Sequence, residues 1–345
     1  MKMKKIWLAA MTISVLSALT ACGSKKQNAY QQGCEALRQG NYKEAMKDFQ
    51  ESVIREVKVA DSQRGTGIAW LKLGDLDQAI SSFEEALEGE DNKNFQKDVL
   101  SYKAVAEYED GRMEAALASC EKIKEFGADA SCYYMIGRIG LQLDQYDAAK
   151  SNFDMAAQED PSYDMFMDIY QAYGEKDMDA DGKAYLSKAL SLTPANGADY
   201  YQRGRIYYFM GDAANAQSEL LKAAEEGEDD ARLFLGRVYL EQQDPASARA
   251  MYQEYAQEGG NGAGAYNGLA LCDLAEGNPD GALENIAKGL EAAGGEDVQE
   301  LLYNEVVAYE YKRDFATAKS KISEYLSHYP DDVDAKRESD FLQNR

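Results

Sequence analysis

The sequence predicts an all-α chain, a solenoid of about nine helix-turn-helix repeats, and three observations carry that expectation. The first is a recurrence: Gly40, Gly74, Gly111, Asp144, Asp177, Gly211, Gln243, Gly277 and Arg313 stand at equivalent positions, spaced by 34, 37, 33, 33, 34, 32, 34 and 36 residues. A period of that length marks a two-helix element that can bury its apolar face only against its neighbours. The second is a pair of slots. Five residues past each turn stand Ala45, Ala79, Ala116, Ala149, Gly182, Ala216, Ala248, Ala282 and Ala318, all small. Four further on stand Phe49, Phe83, Cys120, Phe153, Leu186, Leu220, Tyr252, Ile286 and Ile322, all apolar or aromatic. An i, i+4 spacing places both slots on one helix face. The third is proline. Pro161, Pro194 and Pro330 fall seventeen residues after their turns, where a second helix must stop. Pro245 and Pro279 fall two after theirs, behind Asp244 and Asn278, as an N-cap followed by proline at the first helical position.

Taken in chain order, the first element is an address. Met1-Lys-Met-Lys-Lys5 is a positive n-region, and Ile6 to Leu19 is an apolar stretch too short to span a bilayer comfortably. With Leu19-Thr20-Ala21-Cys22 the segment resembles the bacterial lipoprotein signal, in which export is followed by cleavage just before a cysteine whose sulfur carries diacylglycerol. The resemblance implies that residues 1–21 are removed and that Cys22 is lipidated, two acyl chains giving stable anchoring where one would be marginal. The implied location is extracytoplasmic, on the outer face or periplasmic side of the cell membrane. The competing reading is an ordinary secretory signal cut at a small residue. Residues 22–28 would then be a tether of roughly 3.3 Å per residue when extended. Lys25 and Lys26 are where it would meet anionic headgroups.

Residues 29–332 are the array. Seven residues before the turns stand Gly33, Gly67, Ala104, Gly137, Gly204, Gly236 and Ala270, with Tyr170 and Val306 as exceptions; small residues there are expected to let first helices of neighbouring repeats approach. On these residues the chain resembles the tetratricopeptide repeat (TPR) family. Tyr133 to Pro161 is the fullest match, with Gly137, Tyr146, Ala149, Phe153, Ala156 and Pro161 in the family's slots. The fifth repeat departs most, through Tyr170 and Gly182, and the third has Cys120 in the aromatic slot. The resemblance implies a right-handed superhelix whose first helices line a concave groove, without catalytic residues of its own. Residues 333–345, largely polar with Phe341 and Leu342, are expected to form a helix covering the last apolar face.

Composition narrows the function. With 61 Asp+Glu against 37 Lys+Arg the net charge is −24, and loss of Lys2, Lys4 and Lys5 with the signal makes it −27. So acidic a chain repels phosphodiester backbones, which argues against nucleic-acid partners. His328 is the single histidine, so multi-histidine metal sites and relays are impossible. The sequence has no G-x-S-x-G, no G-x-x-x-x-G-K-[ST] and no H-E-x-x-H, and its carboxylates are spread along helix surfaces, so no catalytic residue is assigned. Beyond Cys22 the cysteines are Cys34, Cys120, Cys132 and Cys272, without a C-x-x-C pair. They read as small buried apolar residues, with a Cys120–Cys132 disulfide conceivable between consecutive repeats.

Mapping the family's inward-facing first-helix slots onto repeats four to seven gives Tyr134, Arg138, Met167, Gln171, Tyr201, Arg205, Tyr208, Leu233 and Arg237. Arginine offers a planar fork for carboxylates and tyrosine a rigid face with a polar tip, a combination suited to an extended peptide bearing acidic groups. The competing reading pairs these arginines with nearby acids such as Asp164, Glu175 and Glu241. Asp177-Met-Asp179-Ala-Asp181-Gly182 matches the first half of a calcium loop, but its twelfth position is Lys188 in place of a bidentate glutamate. Gly259-Gly-Asn-Gly262-Ala-Gly264 has no preceding strand or following lysine and reads as a joint between repeats. The resulting expectation is an envelope lipoprotein that docks or assembles other envelope proteins and peptides, needing no cofactor beyond the diacylglycerol of Cys22, with calcium as an option. The alternative is capture of glycans or cell-wall fragments by tyrosine stacking.

Overall fold

The computed structural model describes residues 28–257, 262–294 and 298–345. The described residues are helical, with no strand among them. They fall into two compact halves, divided between Gly182 and Lys183. The N-terminal half holds α1 (Ala29–Arg38), α2 (Tyr42–Ile54), α3 (Val59–Leu73), α4 (Leu76–Leu87), α5 (Lys93–Glu109), α6 (Met113–Phe126), α7 (Ala130–Gln142), α8 (Tyr146–Glu159) and α9 (Tyr163–Gly174). Helix α10 (Asp179–Ala189) begins in it and ends in the C-terminal half. The latter continues with α11 (Gly197–Met210), α12 (Ala213–Glu225), α13 (Asp230–Glu241), α14 (Pro245–Gln257), α15 (Gly262–Ala275), α16 (Pro279–Ala292), α17 (Gln299–Tyr311), α18 (Phe315–His328) and α19 (Val333–Gln343). Among the described residues no helix is long and apolar enough to cross a membrane.

The aligned turn residues are where each hairpin reverses. All nine have positive φ, from 57° at Asp144 to 84° at Gly211. Five are glycine, which enters this region without strain; Asp144, Asp177, Gln243 and Arg313 carry a side chain there at a cost of order 1 kcal/mol. The following helix is then capped: the carboxylates of Asp75, Asp212 and Asp314 accept from the backbone N–H three residues on, and the amide oxygen of Asn278 accepts from that of Gly281 behind Pro279.

Both predicted slots are interior. Ala45, Ala79, Ala116, Ala149, Ala216, Ala248, Ala282 and Ala318 are fully buried, as are Phe49, Phe83, Phe153 and Leu220 to within 1%. Each buried ring contributes roughly 2–3 kcal/mol of transfer free energy. The small residue seven before the turn has a different cause from the one expected. A Cβ on Gly33 would lie 2.7 Å from the Phe49 ring, and one on Gly137 2.5 Å from that of Phe153. The room is taken by the large side chain of the repeat's own second helix. Gly65 of α3 meets the other edge of Phe49, at 2.5 Å, so the ring is held between α1 and α3. Neighbouring first helices are thus joined through the ring rather than by direct contact of their small residues.

Helix α19 closes the array. Leu342 is fully buried against Val306, Ile322 and Tyr325, whereas Phe341 stays 47% exposed under the Arg345 guanidinium, 4.5 Å from its ring centre. Only one of the two expected apolar residues is used for covering. Tyr325 donates to Asp332, the N-cap of α19, at 2.6 Å.

Candidate partner-binding surfaces

In the N-terminal half the candidate side chains on α7 are structural. Tyr134 is 4% exposed, its hydroxyl donating to the Asp168 carbonyl at 3.3 Å and its ring 5.8 Å from that of Phe153. Arg138 is 7% exposed at its side chain, its guanidinium stacked 4.4 Å from the Tyr108 ring centre and 3.4 Å from Glu175. A planar cation can lie flat on the aromatic ring of a neighbouring first helix, which is why this arginine goes inside. The expected cationic strip therefore does not include Arg138, whose pairing with Glu175 matches the charge-balancing alternative. Met167 is buried and Gln171 exposed.

The C-terminal half presents a different surface. Tyr201, Arg205 and Tyr208 are half-buried on α11, beside Phe234 and Arg237 of α13. Phe234 is the aromatic hub: Tyr201 meets it edge-on at 6.1 Å and Tyr208 at 5.0 Å. Burial, followed by a hydrogen bond to Glu241, pushes the Tyr208 hydroxyl up to about 12, and burial raises that of Tyr201, so both remain neutral donors. Arg205 lies 5.6 Å from the Tyr201 ring centre and donates to Gln202 at 2.8 Å; among the described residues no carboxylate is in ion-pair range of it. Arg237 is exposed and sits 3.5 Å from Glu300 of α17. That glutamate also accepts from the Asn267 amide at 3.0 Å, and Asn304 donates to Asn267 at 2.7 Å. Arg237, Asn267, Glu300 and Asn304 thus form one polar network on the first helices α13, α15 and α17.

Asn267 and Glu300 were missed from sequence because the slot mapping stopped at repeat seven. Asn267 lies ten residues before Gly277, as Tyr201 does before Gly211, so the same arithmetic would have reached it. Glu300 had no such signal.

Asp177, Asp179 and Asp181 are exposed around the α9–α10 turn, the last two in the first turn of α10. Among the described residues no three or more His, Cys, Asp or Glu side chains gather as a ligand set. Cys120 and Cys132 are buried free thiols, the Cys132 sulfur 3.6 Å from the Cys120 carbonyl oxygen. Cys22, Lys25, Lys26 and the stretch from Gly259 to Asn261 lie outside the described residues.

Tetratricopeptide repeat family models match residues 30–95, 130–163, 201–263 and 235–297, together more than half of the chain. The chain belongs to the tetratricopeptide repeat family, whose members are protein-interaction scaffolds. No curated protein matches its sequence. Solved structures that match include a tetratricopeptide repeat protein from Parabacteroides merdae, 19% identical, covering 71% of this chain and 97% of that one with a TM-score of 0.46. Yeast Tom70 is 13% identical over 87% of this chain and 84% of its own, with a TM-score of 0.43. The APC/C hetero-tetramer Cut9-Hcn1 is 14% identical over 91% and 75%, also at 0.43.

Proposed function

We propose that the protein is a lipid-anchored, extracytoplasmic scaffold of the bacterial envelope, tied to the membrane through diacylglycerol on Cys22, and that its C-terminal half captures an acidic segment of another envelope protein. The observation that carries this reading is Arg205. In a chain of net charge −24 it is a half-exposed guanidinium with no carboxylate in range among the described residues, set against an aromatic wall. A partner carboxylate would supply the missing counter-charge, and Tyr201 and Tyr208, backed by the buried Phe234, would supply rigid contact area. Stacking of a sugar ring would need a free tyrosine face. One face of Tyr201 is already taken by Arg205, and that guanidinium calls for a carboxylate that a neutral sugar lacks, so the peptide reading has the better support over the glycan one.

The test is a crosslinked pull-down of the anchored protein from its native membrane, wild type against Arg205→Glu/Arg237→Glu. The double variant is expected to lose the partner, and wild-type capture to weaken with salt before crosslinking. Full retention by the double variant would sink the reading. Binding of soluble glycan that disappears with Tyr201→Ala/Tyr208→Ala would replace it.

A further inference from the structure

The connection between α2 and α3 differs from the other helix connections. Ile54, Val57 and Val59 are 75%, 39% and 42% exposed, and among the described residues no other connection exposes three large aliphatic side chains. Its backbone is also unusual. Apart from the four hairpin-turn residues, the described non-glycine residues with positive φ are Glu56, at 55°, and Lys58, at 51°. They flank Val57, whose carbonyl is held by the buried Ser52 hydroxyl at 2.6 Å. Arg55 and Lys58 are exposed and pair with Glu51 and Asp61. By contrast, the connection from α4 to α5 carries Glu88, Glu90 and Asp91, and that from α12 to α13 carries Glu226, Glu228 and Asp229.

The position of this connection follows from helix register. Gly33 of α1 faces Phe49 of α2, and Ala36 packs with Ala45 in the same cluster, so the two helices run antiparallel and Asn28 falls opposite Ile54. The aliphatic connection therefore lies at the end of the first hairpin where the chain enters. From Cys22 to Asn28 the chain is six residues, a reach of about 20 Å when extended.

We propose that the Ile54–Val59 connection is a membrane-docking loop, its three aliphatic side chains entering the interfacial layer of the bilayer in which Cys22 is anchored. The inference rests on lipidation of Cys22. Three aliphatic residues alone bind a bilayer weakly, but a covalent anchor a short tether away removes most of the cost of encounter. Arg55 and Lys58, which outnumber the one acid of the loop, Glu56, would face the headgroups, whereas the connections that carry three acids and no cation would be repelled by them. The strained backbone at Glu56 and Lys58 is the local price of presenting Val57 outward.

The experiment uses the full chain purified with its native processing and reconstituted in vesicles of phosphatidylethanolamine and phosphatidylglycerol. Mass spectrometry first reads whether Cys22 carries acyl groups. Val57→Trp is then compared with the parent, and with Glu90→Trp in the acidic connection, for emission wavelength and quenching by lipids brominated on the acyl chain. The Val57→Trp signal is expected to shift to the blue and to lose roughly two-fold or more of its added intensity, and that of Glu90→Trp to do neither. A lipidated chain in which the Val57→Trp signal is unquenched overturns the docking loop and leaves the anchor standing. An unacylated Cys22 overturns both. A blue shift that persists in detergent-free solution with a doubled particle mass would assign the loop to contact with a second copy, which also overturns the proposal.

Discussion

The ring of Tyr170 lies where the side chain of residue 182 would begin: a Cβ built on Gly182 stands 2.9 Å from Cδ2 of Tyr170 and 3.0 Å from its carbonyl oxygen. In most other repeats the first-helix slot is small and the second-helix slot is alanine. The fifth repeat has a large residue in the first and no side chain in the second. The two departures from the family pattern are thus one compensated exchange of volume across a helix pair.

Gly182→Ala is therefore expected to destabilise the chain, although alanine is the better helix former by about 1 kcal/mol. The clash includes a backbone oxygen, which cannot rotate away, and overpacking of this kind costs about 1–3 kcal/mol. Tyr170→Ala alone should also cost stability by leaving a void. The double variant should lose less than the two single losses together, a coupling readable in a double-mutant cycle by urea unfolding.

The two arginines at equivalent slots should behave in opposite ways. Arg138→Ala removes an interior cation that stacks on Tyr108 and leaves the space behind it, at an expected cost of about 2–3 kcal/mol. Arg205→Ala changes a half-exposed group that holds Gln202, and should move stability by no more than about 0.5 kcal/mol. Urea midpoints of the two variants decide the matter, with equal losses ruling out the division of roles drawn between them.

These cases show where the sequence was readable. The turn register and the buried slots were legible because each repeat imposes the same steric demand, so a small residue recurs in one slot of all nine repeats, alanine in eight of them, and noise averages out. Burial of Arg138 was not legible, because whether a guanidinium stacks inward depends on Tyr108, which belongs to the preceding repeat. The same holds for Arg237 and Glu300, which meet across 63 residues of chain. Slot arithmetic identifies which side chains share a face, but the partner each one finds is set by neighbouring repeats.

Asp273 offers a test of polar interior packing. Its carboxylate is 7% exposed and accepts from Arg249 at 2.9 Å, Asn285 at 2.7 Å and Asn278 at 3.3 Å. Arg249→Ala would leave a buried negative charge with neutral partners alone, expected to cost about 2–4 kcal/mol. Arg237→Ala, which opens an exposed pair with Glu300, should cost no more than about 1 kcal/mol. Thermal unfolding of the two variants side by side would show the contrast, and comparable shifts would mean that the Asn285 and Asn278 amides suffice to hold the carboxylate.

The docking of α19 should depend on pH through two carboxyl groups that act in opposite directions. Burial, followed by a hydrogen bond and charge repulsion from Glu338 of α19, pushes Glu310 of α17 up to about 7, with Arg345 opposing the rise. A raised folded-state value means that the contribution is complete at and below the ordinary carboxylate range and is lost as pH climbs through about 7. Asp332 is the reverse. Burial works against its ionised form, but hydrogen bonds from Tyr325 and the N–H groups of Ala335 and Asp334 hold it below the ordinary range, so its contribution fades only in strong acid. The C-terminal helix should be held best in mildly acidic solution and loosen as pH rises to about 7, where Glu310 ionises in its buried position. Hydrogen exchange of the α19 amides, corrected for intrinsic rate, should show protection falling between about pH 4.5 and about pH 7 and levelling off above that. Glu310→Gln should flatten that dependence while leaving Asp332 to cap the helix, and a profile unchanged by the substitution would exclude Glu310 as its cause.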